Sequence, residues 1–278
     1  MVTITNSNLN INYNEIVELF DETPIWSAPF GLKLLENVNI KKNLIGLDIG
    51  FGSGFPLTEL AMRLGKTCKF YGIDPLDSAV KRTCKKIDFY RLTNIELIHG
   101  MAEIIPLDDN SLDLITSNNG INNVSDLEKV LSECSRILKS GGQFIQTMNL
   151  NTTMMEFYDI MKSVLIGLDM DFELNKMQDQ IYKKRKPLKE FTSILEQHNF
   201  SILNVLHDQF EYKFTDGTTM LNHFFIKLGF LDGWKDIVPT TKQVEIFKLI
   251  ENQMNEKANR EGCFKLSIPF VLIDCKKI

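Results

Sequence analysis

The run Leu44-Ile45-Gly46-Leu47-Asp48-Ile49, followed at once by Gly50-Phe51-Gly52-Ser53-Gly54, constrains this chain more than any other segment. A short apolar run without polar alternation reads as a strand buried on both faces, as in a parallel sheet. Three glycines spaced by two then let the backbone turn tightly and approach a ligand. The apolar pattern over residues 56–64 opens a helix whose first N–H groups aim at that ligand, with Pro56 suited to the first turn.

The same unit recurs downstream. Residues 70–74, 95–98, 112–116 and 144–148 read as strands, with a helix over 78–89 and another whose Leu127/Val130/Leu131 stripe follows the capping-box pair Ser125 and Glu128 and ends at Lys139-Ser140-Gly141-Gly142. Strands alternating with helices predict a parallel sheet with helices on both faces. Ahead of this core, two short helices are expected over 12–20 and 31–38, separated by Pro24 and Pro29. Behind it the rhythm changes. Thr153 and Glu156 are expected to cap a helix reaching about residue 168, a further helix covers 188–198, and strands are expected over 201–205, 209–214 and 264–275. Helical segments over 219–228 and 241–259, the latter opened by Thr240 and Gln243, fall between the last two strands and predict a cap. The expected organisation is one domain over 1–278. Its parts are N-terminal helices to residue 43, a ligand-binding core over 44–148, and a second half over 149–278 with a helical insertion near 215–262.

Spacing decides what the glycine loop can hold. A dinucleotide loop wants G-x-G-x-x-G, whereas Phe55 stands here where the third such glycine belongs and would crowd a pyrophosphate. Asp48, two residues before Gly50, would repel that group and suits an ammonium instead. Asp74 closes the next strand twenty residues after Gly54, placed to accept hydrogen bonds from both hydroxyls of a ribose. A ribose without a phosphate, joined to an amino acid, describes S-adenosylmethionine. The competing reading is an ordinary strand-to-helix turn.

With these residues in place, the stretch from Leu44 to Met148 resembles the class I S-adenosylmethionine-dependent methyltransferases, in particular the ubiquinone/menaquinone-biosynthesis branch. Besides the loop and Gly72-Ile73-Asp74, the resemblance runs through Gly100-Met101-Ala102-Glu103-Ile104-Ile105-Pro106-Leu107, the segment 109–113 and Arg136-Ile137-Leu138-Lys139-Ser140-Gly141-Gly142. It implies a Rossmann-like α/β fold: a seven-stranded, mostly parallel sheet whose last strand is reversed. It also implies cofactor contacts from Asp48, Gly50, Asp74, Pro75, Leu76, Met101 and Ala102, with Gly52 and Gly54 completing the loop. Many relatives carry Asp at the place of Met101 to meet the adenine amino group, a task left here to the backbone or to Glu103. Asp113, inside a strand, is expected to brace the fold.

Ligands of open α/β sheets lie beyond the carboxyl ends of the strands. The loops Ser117-Asn118-Asn119-Gly120-Ile121-Asn122-Asn123 and Asn149-Leu150-Asn151 should therefore meet the methyl group and its acceptor, Asn118 on the cofactor side and Asn119 and Asn149 on the acceptor side. These residue types also serve ordinary turns. Tyr13 and Trp26 near the N-terminus, with aromatics of the insertion, could line an apolar lid or pack a core. His223, in Met220-Leu221-Asn222-His223-Phe224-Phe225, is the candidate base among four histidines, against a plain packing role. The run Lys183-Lys184-Arg185-Lys186-Pro187-Leu188-Lys189 reads as a solvated charged loop.

Net charge −5 argues against a nucleic-acid partner and for a small-molecule substrate. Five scattered cysteines without a C-x-x-C pair predict reduced thiols and no metal. The polar N-terminus and the lack of any long apolar run predict no membrane span and a cytoplasmic protein. Oligomeric state is left open. The expected activity is methyl transfer to a small molecule, with S-adenosylhomocysteine as product. The alternatives are a non-catalytic cofactor-binding sensor or scaffold and, disfavoured by Asp48 and Phe55, a nicotinamide oxidoreductase.

Overall fold

A computed structural model describes residues 23–278, so the expected first helix and Tyr13 lie outside the described residues. The elements run α1 (Thr23–Asn37), β1 (Ile45–Ile49), α2 (Leu57–Leu64), β2 (Lys69–Asp74), α3 (Asp77–Tyr90), β3 (Ile95–His99), β4 (Leu112–Asn118), α4 (Leu127–Ile137) and β5 (Leu138–Asn149). There follow α5 (Met155–Gly167), α6 (Asp171–Lys184), α7 (Leu188–Gln197), β6 (Phe200–Phe214), α8 (Gly217–Asn222), short helical turns over 224–235, α9 (Gln243–Glu261) and β7 (Phe264–Lys277).

The strands form one sheet in the order β3-β2-β1-β4-β5-β7-β6. Strands β1 to β5 pair in parallel and β7 runs antiparallel to β5, which is the Rossmann-like sheet with a reversed last strand. From β1 the chain moves outward through β2 to β3, then returns past β1 to β4 and on to β5. Right-handed crossovers in opposite directions put α2 and α3 on one face and α4 on the other. The direction reverses between β1 and β4, and the crevice at the carboxyl ends of those two strands is where such sheets bind ligands.

The chain divides into two compact units. One, over residues 23–149, 187–208 and 270–278, holds the parallel strands. Its core joins Leu34 of α1 and Val38 just after it to Phe51, Leu57, Leu60, Phe70, Leu114, Ile145 and Leu272. The other covers 150–186 and 209–269. There Phe157 stacks on Trp234 at 3.8 Å, whose Nε1 donates to Tyr158 Oη at 3.1 Å, and Ile246, Phe247, Ile250 and Met254 of α9 are buried.

Several local expectations are corrected. Helix α1 begins at Thr23 and runs through Pro29, ahead of the start expected at Gly31. Pro56 is the N-cap of α2, one residue before its first turn. Helix α4 is capped by Asp126, whose carboxylate accepts from Lys129 N at 3.1 Å; Ser125 is one residue too early. That helix ends at Ile137, and Leu138 already pairs with Leu112, leaving Lys139–Gly142 as an irregularity in the β4–β5 ladder. At α5 the N-cap is Met154, because Thr153 Oγ1 turns to Pro269 O and Glu156 accepts from Ser267 N. Gln243 begins α9, yet its amide donates to Lys235 O and no capping box forms. Strand β6 is continuous where two pieces were expected, since 206–208 keep the extended backbone.

Candidate functional site

Strand β1 delivers Asp48 to the crevice and hands over to the glycine loop, where Gly50, Gly52 and Gly54 all take positive φ, 72°, 51° and 95°. That backbone is accessible to glycine at little cost, which explains the spacing by two. The loop is pinned from below and from the side. Gly50 N donates to Ile73 O at 2.9 Å, Thr83 Oγ1 to Gly52 O at 3.2 Å, and Lys86 Nζ to Ser53 O at 2.6 Å. Above Gly52 there is open space: a Cβ there would meet nothing within 4 Å.

Asp74, at the end of β2, clasps this loop. Its Oδ2 accepts from Gly52 N at 2.9 Å and its Oδ1 from Leu76 N at 3.0 Å. Each carboxylate oxygen has two lone pairs, so both oxygens keep acceptor capacity for a pair of hydroxyls. Burial raises the Asp74 pKa, opposed by the two N–H donors and by His99, whose ring bonds Pro75 O at 3.0 Å.

Asp48 sits deeper. It is 1% exposed, its Oδ1 accepts from Thr116 Oγ1 at 2.6 Å, and its Oδ2 is sealed from solvent with no hydrogen-bond partner. Burial pushes the carboxyl up to about 7, opposed by the Thr116 hydroxyl and the backbone N–H of Leu57 and reinforced by the negative charge of Asp74. The structure buries this acid near the end of β1, two residues before the first glycine of the loop.

The rim beyond β2 and β3 carries the remaining cofactor candidates. Leu76 and Met101 are exposed, Met101 at 51%, while Ala102 is buried. Glu103 is also buried, and its Oε1 accepts from Ser125 N at 2.9 Å and Asp126 N at 3.2 Å, at the start of α4. That carboxylate is engaged as a helix-end acceptor. The expectation for Asp113 is met: its Oδ2 accepts from Ile45 N at 2.9 Å and its Oδ1 pairs with Lys139 at 2.7 Å, tying β4 to the starts of β1 and β5.

The β4 loop lies against the glycine loop. A Cβ on Gly120 would come within 2.5 Å of Ile49 O, and one on Gly50 within 3.1 Å of Gly120 Cα. Asn118 is a brace here: its Nδ2 donates to Ser27 O at 3.1 Å and its Oδ1 accepts from Thr147 Oγ1 at 2.9 Å. Asn119 and Asn149 are brought together by Asn122, whose Nδ2 donates to Asn119 Oδ1 and, at 3.1 Å, to Asn149 Oδ1. Sequence reasoning missed Asn122 as a participant; its one signal was the repeated Asn around Gly120, which resembles any turn. Trp26, half-buried on α1, packs 5.4 Å from the Phe30 ring. His223 belongs to the other unit, is exposed, and lies 5.4 Å from the Phe214 ring. All five cysteines are free thiols, and no group of three His, Cys, Asp or Glu among the described residues could hold a metal. Among the described residues, too, no helix is long and apolar enough to cross a membrane.

Comparison with known proteins agrees with this geometry. Residues 47–146 match the family described as a methyltransferase domain. The chain is 32% identical over 120 residues to the demethylmenaquinone methyltransferase of Bacillus mycoides, covering 43% of this chain and 51% of that protein. It is 35% identical over 109 residues to the enzyme of that name from Geobacillus stearothermophilus, 39% of this chain and 47% of that protein. The chain thus spans about half the length of the curated relatives it matches. Among solved structures, a SAM dependent methyltransferase from Aquifex aeolicus aligns with TM-score 0.54 and 22% identity over 70% of this chain and 92% of that one. The YcgJ protein of Bacillus subtilis aligns with TM-score 0.56 and 17% identity over 90% and 98%. These likenesses show the fold.

Proposed function

We propose that this chain, which carries a class I S-adenosylmethionine-dependent methyltransferase core, transfers a methyl group to a small ring acceptor of the hydroquinone type. The observation that carries the cofactor half of this reading is the clasp of Asp74 on Gly52 and Leu76, with acceptor lone pairs to spare beside a loop that is open above Gly52. The matched relatives are demethylmenaquinone methyltransferases, which supports the acceptor class.

The residues present fit the cofactor. Asp74 would hold the ribose hydroxyls, the loop backbone would lie along the amino-acid portion, and the buried charge of Asp48 would favour its ammonium and sulfonium. Pro75, Leu76, Met101 and Ala102 would edge the adenine. When bound, S-adenosylmethionine supplies a methyl group on a cationic sulfur, which keeps the electron pair of the broken C–S bond. Because charge is dispersed in this displacement, the protein gains rate by holding two partners in line away from water. Asn119 and Asn149 orient the acceptor as neutral hydrogen-bonding groups that do not compete as nucleophiles.

Calorimetric titration with S-adenosylhomocysteine should show one site, and a 2-unsubstituted 1,4-naphthoquinol with labelled S-adenosylmethionine should gain one methyl group. Folded protein that binds no S-adenosylhomocysteine would refute the reading. Binding without transfer to any of a broad acceptor panel would identify a sensor or scaffold instead.

A further inference from the structure

Three carboxamides meet at the carboxyl ends of β4 and β5, and their bonds fix which atom each presents. Asn149 N, a backbone donor, approaches Asn119 Oδ1 at 3.4 Å. That contact, though long, sets the polarity, because a backbone N–H faces only an acceptor. Asn119 therefore turns its oxygen inward. Asn122 Nδ2 donates to the same oxygen and, with its second hydrogen, to Asn149 Oδ1 at 3.1 Å. A reversed Asn122 would set its own oxygen against two others. The relay leaves Asn119 Nδ2 without a partner among the described residues, on a side chain that is only half-buried.

Backbone geometry holds the donor in place. Asn119 takes φ 58°, a left-handed conformation that non-glycine residues seldom adopt and that Asn tolerates best. Its N–H donates to Thr147 O at 3.0 Å, and its carbonyl accepts from Asn123 Nδ2 at 3.3 Å. Gly120 next to it lets the loop approach the glycine loop closely enough that a Cβ would strike Ile49 O. A strained residue with an oriented, unused donor next to the cofactor loop is arranged for a ligand.

Resting on the methyltransferase reading above, we propose that Asn119 Nδ2 holds an oxygen of the methyl acceptor, a ring carbonyl or phenolate, and that Asn122 is the positioning residue that keeps this donor facing outward. Asn122 does not touch the acceptor; it acts by occupying the oxygens of its two neighbours. The acceptor class that fits is a molecule whose oxygen lies close to the methylated atom and accepts a hydrogen bond without being protonated by the protein.

The test uses the full chain saturated with S-adenosylhomocysteine and titrated with 1,4-naphthoquinone, which carries ring carbonyl oxygens, with binding followed by tryptophan fluorescence and calorimetry. Wild-type protein should bind the probe. Asn122→Asp replaces the relay donor by an acceptor, drives both neighbours to flip, and should weaken the probe about tenfold while S-adenosylhomocysteine affinity stays within about twofold. Asn122→Ala unlocks the relay without repulsion and should weaken it about threefold, a second variant that serves if the Asp form does not fold. A merely structural Asn122 would lower the melting temperature and both affinities together. Equal probe affinity in the three proteins overturns the proposal, as does wild-type protein that binds S-adenosylhomocysteine but not the quinone. Folded wild-type protein that fails to bind S-adenosylhomocysteine overturns the methyltransferase reading instead.

Discussion

The loops after β1 and β4 press against each other at Gly50 and Gly120, yet they are built from opposite chemistry. The β1 side gathers two buried carboxylates, Asp48 and Asp74, one of them with an oxygen that has no partner. On the β4 side stand neutral carboxamides, with the side-chain oxygens of Asn119 and Asn149 held by Asn122. Buried charge is costly unless something compensates it, so the first loop gains from a cation arriving and responds to pH. The second loop gains nothing from charge and reads shape and hydrogen bonding. On the function proposed above, the division assigns pH sensitivity to the cofactor side and orientation to the acceptor side.

The strongest way to break the contrast is Asp74→Ala. It removes the acceptors of Gly52 N and Leu76 N together with the proposed ribose contact, and S-adenosylhomocysteine affinity should fall about 100-fold by calorimetry. A loss under about threefold would mean the clasp only shapes the loop. Next comes the seam between the loops. Gly120 has φ −77°, which alanine adopts freely, so the cost of Gly120→Ala is steric: its Cβ would lie 2.5 Å from Ile49 O and 3.0 Å from Ser117 Oγ. Chemical denaturation should show roughly 2 kcal/mol lost. Both ligand affinities should weaken, because the loops share the contact.

Asp48→Asn sharpens the contrast from the charged side. Without ligand, the native carboxyl holds its proton to about pH 7 where the unfolded chain releases it near 3.8. The folded state then binds more protons across that window, so this group's stabilising contribution is present below the unfolded value and is lost as pH rises through about 7. The span is on the order of 4 kcal/mol for a fully buried group. Asp48→Asn should flatten that part of the stability profile. A cationic ligand above Asp48 favours its ionised form, so binding S-adenosylmethionine near pH 6 should release a proton, visible as a dependence of calorimetric heat on buffer ionisation enthalpy. In the Asn variant that dependence should shrink and affinity at pH 8 should drop about tenfold. Probe binding at the Asn119 side should stay flat with pH in both proteins.

Much of the core was legible because local and global signals agree there: apolar strand runs, glycines at the turn and an acid closing β2 all point to one sheet. The capping residues were less legible. Ser125 and Asp126 are both good caps; the helix begins at Leu127, so it is the Asp126 carboxylate that lies in reach of Lys129 N. Thr153 and Thr240 had the right spacing, but Glu156 and Gln243 found partners elsewhere, Ser267 and the Lys235 carbonyl, that no local pattern announces. The same holds at the site. Asp48 could be singled out from its place before Gly50, while its depth depends on Thr116, 68 residues away. Asn122 emerged only once β4 and β5 were paired.

Glu103 separates these two kinds of legibility with the smallest effect. From sequence it is the acid nearest the place where relatives of the resembled family meet the adenine amino group. In the structure its Oε1 accepts from Ser125 N and Asp126 N, satisfying donors at the entry to α4 and favouring the positive end of that helix. A carboxylate used in this way is worth about 1 kcal/mol. Glu103→Ala should therefore lower stability by about that amount, with S-adenosylhomocysteine affinity changed by less than about twofold. Glu103→Gln, which keeps an acceptor oxygen, should recover most of the stability. If instead the Ala variant keeps its melting temperature and loses about tenfold in affinity for S-adenosylhomocysteine but not for a ligand lacking the adenine amino group, the acid faces the cofactor. The charged side of the crevice would then extend to the adenine end, and its boundary with the neutral amides would have to be redrawn.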